Sequence, residues 1–239
     1  MKFKDLLNLY NKKKETYGDK AHNYISEVLK EAKELHKKDW LKSPTPRGDH
    51  EQSWRAFKGK NLEKLIMYII KEEVEKLGLK VVEGNLLERA NDQKLTVELS
   101  KVKRNIAVNY GEFGLHLPDV DIIIYEPTTC EVIAAISSKV TLRERIAQTG
   151  YWKLKLSQSG VTKHIKVFFI TPDEDKTLQK RFPTKKGRAI VEVDTDGSYV
   201  MTEEEIEESE KVKKFDKFIN DLKELVLCRK KELTNNQNY

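Results

Sequence analysis

The sequence predicts an α/β (α+β) protein: a mixed central β-sheet flanked by helices, preceded by an N-terminal helical region. Three observations carry this. Apolar residues recur at helical spacing through the first 41 residues and again over roughly 51–77. Short, nearly continuous apolar runs occupy the middle of the chain, the pattern of strands covered on both faces. Helical and strand patterns then alternate, so helices lie on the sheet rather than in a separate layer.

In the first region Leu6, Leu7 and Tyr10, then Tyr24, Ile25, Val28, Leu29 and Ala32, keep a 3.6-residue period. Residues 42–49 (KSPTPRGD) break it with two prolines and a glycine, which makes them the linker. The expected division is 1–45, an N-terminal helical region, and 46–239, the main domain. A long helix follows over about 51–77, apolar through Leu62, Leu65, Ile66, Tyr68, Ile69 and Ile70 and stopped by Gly78. Strands are expected at 80–82, 106–109, 121–125, 132–138 and 164–171. A helix is expected over 141–157, where Thr141 and Glu144 match the capping-box pattern. Residues 189–194 and 199–201 read as a hairpin around Asp196-Gly197, and the C-terminal thirty or so residues return to helix.

Composition narrows the function classes. The 239 residues are 38% hydrophobic and 35% charged, with the apolar residues in periodic runs, so the chain folds. No run approaches the ~18 apolar residues of a membrane span, and a cytoplasmic protein with no membrane partner is expected. Cys130 and Cys228 stand far apart and form neither a zinc pattern nor a disulfide framework. The net charge of +6 suits an anionic partner such as nucleic acid.

The chemistry concentrates in residues 115–148. Strand alternation would put Asp119 and Asp121 on one face, and Ser137 and Lys139 on one face of the next run. If the runs pair, one end of the sheet gathers carboxylates, a hydroxyl and an ammonium. Carboxylate oxygens suit Mg²⁺, which keeps waters and shares substrate phosphate oxygens. A lysine beside them can position or deprotonate an attacking water. Arg143 and Arg145 sit in the first turn of the expected helix, where cations oppose the macrodipole. An anionic or guanine-rich partner would account for them, because arginine reads guanine O6/N7 in a bidentate manner. Glu144 between them serves as cap, base reader or arginine orienter, and Gln148 lies one turn on.

Pro118-Asp119…Ser137-Ser138-Lys139, followed by Arg143-Glu144-Arg145, resembles the PD-(D/E)xK nuclease core in its type II restriction endonuclease form. It is similar to the SxK variant with an R-(D/E)-R element, the BsaWI-like group, many of whose members read CCGG-type sites. The resemblance spans about residues 55–172 and implies an αβββαβ core, Mg²⁺-dependent hydrolysis of double-stranded DNA, and a homodimer. It carries Asp119 over as the metal ligand after the proline, with Asp121 open as a second. Lys139 would activate the water, and Ser137 would hydrogen-bond nearby. Ser137 stands where the superfamily usually has an acid. Glu131 lies too far along the strand from Lys139 to replace it. The positions from which the SxK group supplies the acid are here Trp152 and Lys153. Glu63, on the helix before the sheet, is the candidate. The same fold also serves structure-selective repair and junction nucleases, and DNA-binding proteins without catalysis.

Weaker signals are His116 near the motif, the basic run Lys176, Lys180, Arg181, Lys185, Lys186 and Arg188, and Tyr151 and Trp152, which read as packing.

Overall fold

The computed structural model describes residues 1–43, 48–142 and 145–236. Helices α1 (Phe3–Tyr17) and α2 (Ile25–Trp40) precede the long α3 (His50–Lys76). The side chain of Asp49 caps α3 by accepting from the Gln52 N–H at 2.6 Å. Strand β1 (Lys80–Glu83) leads into the short α4 (Gly84–Arg89) and then α5 (Val97–Ile106), capped by Thr96. A small hairpin, β2 (Val108–Asn109) and β3 (Leu115–His116), stands apart from the main sheet. Then come β4 (Ile122–Glu126), β5 (Glu131–Ser138), α6 (Arg145–Ser157), β6 (Lys166–Thr171), α7 (Lys186–Asp194), β7 (Gly197–Val200), β8 (Val212–Lys214) and α8 (Phe218–Asn236).

The main sheet runs in the order β1-β4-β5-β6-β7-β8. β1, β4 and β5 pair antiparallel, and β5 through β8 pair parallel, so the sheet is mixed as expected. Taken in order, α3, β1, β4, β5, α6 and β6 make the αβββαβ core. One face buries Ile122, Ile124, Ala134, Ile136, Phe168 and Ile170 under α3 and α8, and Leu6, Ile25 and Leu29 of α1 and α2 join the same apolar cluster. The other face buries Ile123, Tyr125, Val132 and Val167 against α5 and α6. Cover on both faces explains why β4 and β5 read as continuous apolar runs.

Three expectations need correction. Residues 189–194 belong to helix α7 and are not half of a hairpin. β6 and β7 are parallel, and a parallel pair needs a crossover that a two-residue turn cannot supply. Residues 84–106 hold α4 and α5, and Ile106 ends α5 rather than opening a strand. Tyr68, placed on the apolar side of α3, is 43% exposed. Part of the expected linker, residues 44–47, lies outside the described residues. No helix among the described residues is long and apolar enough to cross a membrane.

Candidate active site

The β4–β5 pairing positions the site. Its antiparallel register sets Ile122 opposite Ile136, so the start of β4 meets the end of β5. Asp121 lies one residue before β4 and Lys139 one residue after β5, and the two side chains meet there. Asp121 is buried. Its Oδ2 accepts the Ser138 backbone N–H at 2.6 Å, and its own N–H donates to the Ile136 carbonyl at 2.9 Å. Lys139 Nζ donates to both oxygens of Asp121, at 2.9 Å (Oδ1) and 2.8 Å (Oδ2). The α3 helix crosses this end of the sheet and contributes Glu63, whose Oε1 lies 3.3 Å from Lys139 Nζ.

Two carboxylates facing one ammonium leave an excess negative charge in a half-buried place. Glu63 records the strain. Burial, then the neighbouring Asp121 charge, push its carboxyl up to about 7, with Lys139 pulling the other way. A cleft of about 800 Å³ opens over the trio, walled by Arg55, Gly59 and Lys60 of α3 and by Asn85 and Arg89 of α4. Gly84 brings α4 against the site: a Cβ there would lie 1.9 Å from the Val120 carbonyl oxygen, so only glycine fits.

The remaining expected residues fall elsewhere. Asp119 does not share a face with Asp121. The Val120 N–H donates to the Pro118 carbonyl at 2.9 Å, a tight turn centred on Asp119 that breaks the alternation. Asp119 is exposed and accepts from Gln148 Nε2 of α6 at 2.7 Å, away from Lys139. The residue after the proline is therefore a loop acid here, and the acid in contact with Lys139 stands two positions later. Ser137 is buried in β5 opposite Phe169, and its neighbour Ser138 touches Asp121 instead. Arg143 and Glu144 lie outside the described residues, as does the side chain of Arg145, whose backbone opens α6. The Thr141–Glu144 capping box falls with them.

Glu131 pairs with Arg229 at the far end of β5. Exposed His116 Nε2 contacts the Phe113 carbonyl at 2.9 Å. Trp152 is half-buried and packs against the core, whereas Tyr151 is 43% exposed and shares a hydrogen bond with the Tyr110 hydroxyl. In the basic run, Arg188 is fully buried and bonded to Glu192 and to the Leu178 and Glu207 carbonyls, a structural strut rather than a phosphate ligand. Arg55 and Arg89 went unnoticed in the sequence. Arg55 stands two helical turns before Glu63, a period that could have found it, but Arg89 sits on a helix without an amphipathic signature.

Residues 98–222, more than half of the chain, match the family described as BsaWI restriction endonuclease type 2. The chain belongs to this family of type II restriction endonucleases. This family member is 41% identical over 216 residues to the "Putative type II restriction enzyme MjaVIP" of Methanocaldococcus jannaschii, covering 85% of the chain and 93% of that protein. It is 39% identical over 127 residues to the "Probable type II restriction enzyme HpyAORF263P" of Helicobacter pylori, covering 53% of the chain and 64% of that protein. A solved structure entitled "Crystal structure of specific restriction endonuclease AgeI-DNA complex" superposes with a TM-score of 0.49 at 15% identity, over 87% of this chain and 82% of that one. The BsaWI-family segment contains Asp121 and Lys139, and Glu63 lies before it.

Proposed function

We propose that this restriction endonuclease cuts double-stranded DNA at a specific site as a Mg²⁺-dependent homodimer, with Glu63, Asp121 and Lys139 as its catalytic group. The observation that carries the assignment is the convergence of these three side chains, from α3 and from the facing ends of β4 and β5, within one cleft. In this reading residues 46–239 form the nuclease domain and residues 1–45 a helical region packed on it.

The family's fold implies a divalent cation, and the donor set fits one. Among the described residues no group of three or more His, Cys, Asp or Glu side chains gathers as a metal cage. Mg²⁺ commonly uses one or two carboxylates and fills its remaining positions with water and substrate oxygens. Glu63 and Asp121 supply two hard carboxylates whose mutual repulsion a cation would relieve. Glu63 thus takes the place of the acid missing at Ser137.

When bound, the cation supplies Lewis-acid stabilisation of the phosphoryl oxygens and lowers the pKa of a coordinated water. Asp121 is held in orientation by the Ser138 N–H, which presets it to serve as a ligand beside Lys139. Lys139 places an ammonium beside both carboxylates, where it can orient the attacking water and offset charge growing on the phosphate. Arg143, Glu144, Arg145 and Gln148 remain the proposed base-contacting set, Gln148 competing there with its bond to Asp119.

The test is incubation of plasmid DNA with the protein and Mg²⁺, beside Lys139→Ala and EDTA controls. Discrete fragments that vanish in both controls support the assignment. Intact plasmid with a mobility shift would reassign the chain to binding without catalysis, and cutting confined to branched DNA would reassign it to structure-selective cleavage.

A further inference from the structure

Gly59 stands in the interior of α3, where glycine is the least favourable residue after proline. A fold keeps such a glycine when the backbone needs a positive φ, when a side chain would clash, or when something outside the chain must come close. The first two reasons fail here. Gly59 is not among the positive-φ glycines, and a Cβ built on it meets no atom within 4 Å. Gly84, Gly150 and Gly187 behave differently: each would drive a Cβ to 2.9 Å or less from a neighbouring atom. Nothing inside the described chain therefore requires glycine at position 59.

Its surroundings point outward. Arg55, Gly59 and Glu63 follow at four-residue spacing and stack along one face of α3 that lines the catalytic cleft. Arg55 and Lys60 beside the glycine, and Arg89 across the cleft on α4, are exposed, and none forms a salt bridge among the described residues. Lys58 and Lys76 on the same helix do find carboxylates. A stretch of helix without a side chain, flanked by exposed cations that form no salt bridge, of which only Arg55 feels a nearby carboxylate, Glu51, suits a polyanion that must lie against the backbone, beside the carboxylates of the catalytic end of the cleft.

We infer that Gly59 is a clearance position, over which the phosphodiester backbone of the DNA passes in contact with α3, held by Arg55 and Arg89. This rests on the proposed function and adds the place where the substrate strand crosses the enzyme. One helical turn separates Gly59 from Glu63, about 6 Å, so the seated phosphate lies within about two nucleotides of the bond cut.

The experiment compares Gly59→Ala and Gly59→Leu with the unaltered chain. Binding of a mixed-sequence duplex of about 30 bp is measured in EDTA, without turnover, since phosphate contacts are independent of sequence. Thermal unfolding is followed in parallel. Gly59→Leu should weaken binding roughly tenfold or more, the scale of one charged hydrogen bond, and Gly59→Ala less. Both variants should melt at the same temperature as the unaltered chain or a few degrees higher, as expected for removing a glycine from a helix. Arg55→Ala should flatten the slope of log affinity against log salt by about 0.9, one phosphate contact.

Binding by Gly59→Leu within about twofold of the unaltered chain overturns the inference, because its steric bulk exceeds the clearance proposed. Weaker binding with lowered melting in both Gly59 variants also overturns it, by showing that the glycine serves the fold. Plasmid cleavage decides the proposed function separately. A chain that does not cut, yet loses duplex binding on Gly59→Leu, keeps this inference. A chain that cuts while Gly59→Leu binds normally loses this inference alone.

Discussion

Replacing Glu63 by glutamine should make the metal-free protein more stable while abolishing its activity. In the folded chain burial and Asp121 raise the Glu63 carboxyl from 4.5 to about 7. Between those values the folded state binds more protons than the unfolded state, so stability falls as pH rises through this window and levels off above it. The full displacement corresponds to about 3 kcal/mol. The amide oxygen can still accept from Lys139 but loses the charge attraction across that 3.3 Å pair, and some of the penalty is shared with Asp121, which leaves a net gain of roughly 1–2 kcal/mol at pH 8. For a chain of this size that is a rise in melting temperature of about 2–8 °C. The assay is thermal unfolding in EDTA at pH 5 and pH 8. At pH 5 the folded carboxyl is protonated and the variant should nearly match the unaltered chain. A variant that is equally destabilised at both pH values would refute the electrostatic account of the site.

Three further outcomes follow from the geometry. Gly84→Ala forces a methyl group to 1.9 Å from the Val120 carbonyl oxygen and should cost about 1–3 kcal/mol in denaturant unfolding, with cleavage falling as Asp121 shifts; unchanged stability would show that α4 is not clamped there. Arg188→Ala strands the Leu178 and Glu207 carbonyls and takes the cation from Glu192, which keeps the Ser209 hydroxyl, and should cost about 2–4 kcal/mol by the same measurement; a variant of normal stability with weakened DNA binding would return Arg188 to the phosphate contacts. Asp121→Asn should lower the rate of DNA cutting by about 100-fold or more while Asp119→Ala stays within about tenfold, and the reverse order would place the metal ligand directly after the proline.

Much of this was written in the sequence, for identifiable reasons. The runs at 122–126 and 131–138 announced themselves as strands because both faces of the sheet are covered, and their antiparallel pairing brings Asp121 to Lys139. The helical period placed Glu63 on the element preceding the sheet, and only the resemblance to the nuclease family singled it out there. The shared face expected for Asp119 and Asp121 failed because alternation assumes an extended backbone, and the turn from Pro118 to Val120 is not extended. α7 imitated a strand because its short β-branched run, Ile190-Val191, carries no length signal, and only the parallel pairing of β6 with β7 demands a helix there. Gly84 gave no sign at all, since the carbonyl that excludes a side chain comes from Val120, distant in sequence.

The central claim is that Glu63, Asp121 and Lys139 act together as one metal-dependent hydrolytic centre. Single-turnover cleavage of plasmid DNA across a Mg²⁺ titration tests it most directly. The unaltered chain should cut with saturable dependence on Mg²⁺, and Glu63→Gln and Asp121→Asn should each lose that response although both remain folded and bind duplex DNA. Cleavage by Glu63→Gln at the unaltered rate and with the same Mg²⁺ dependence would contradict the claim.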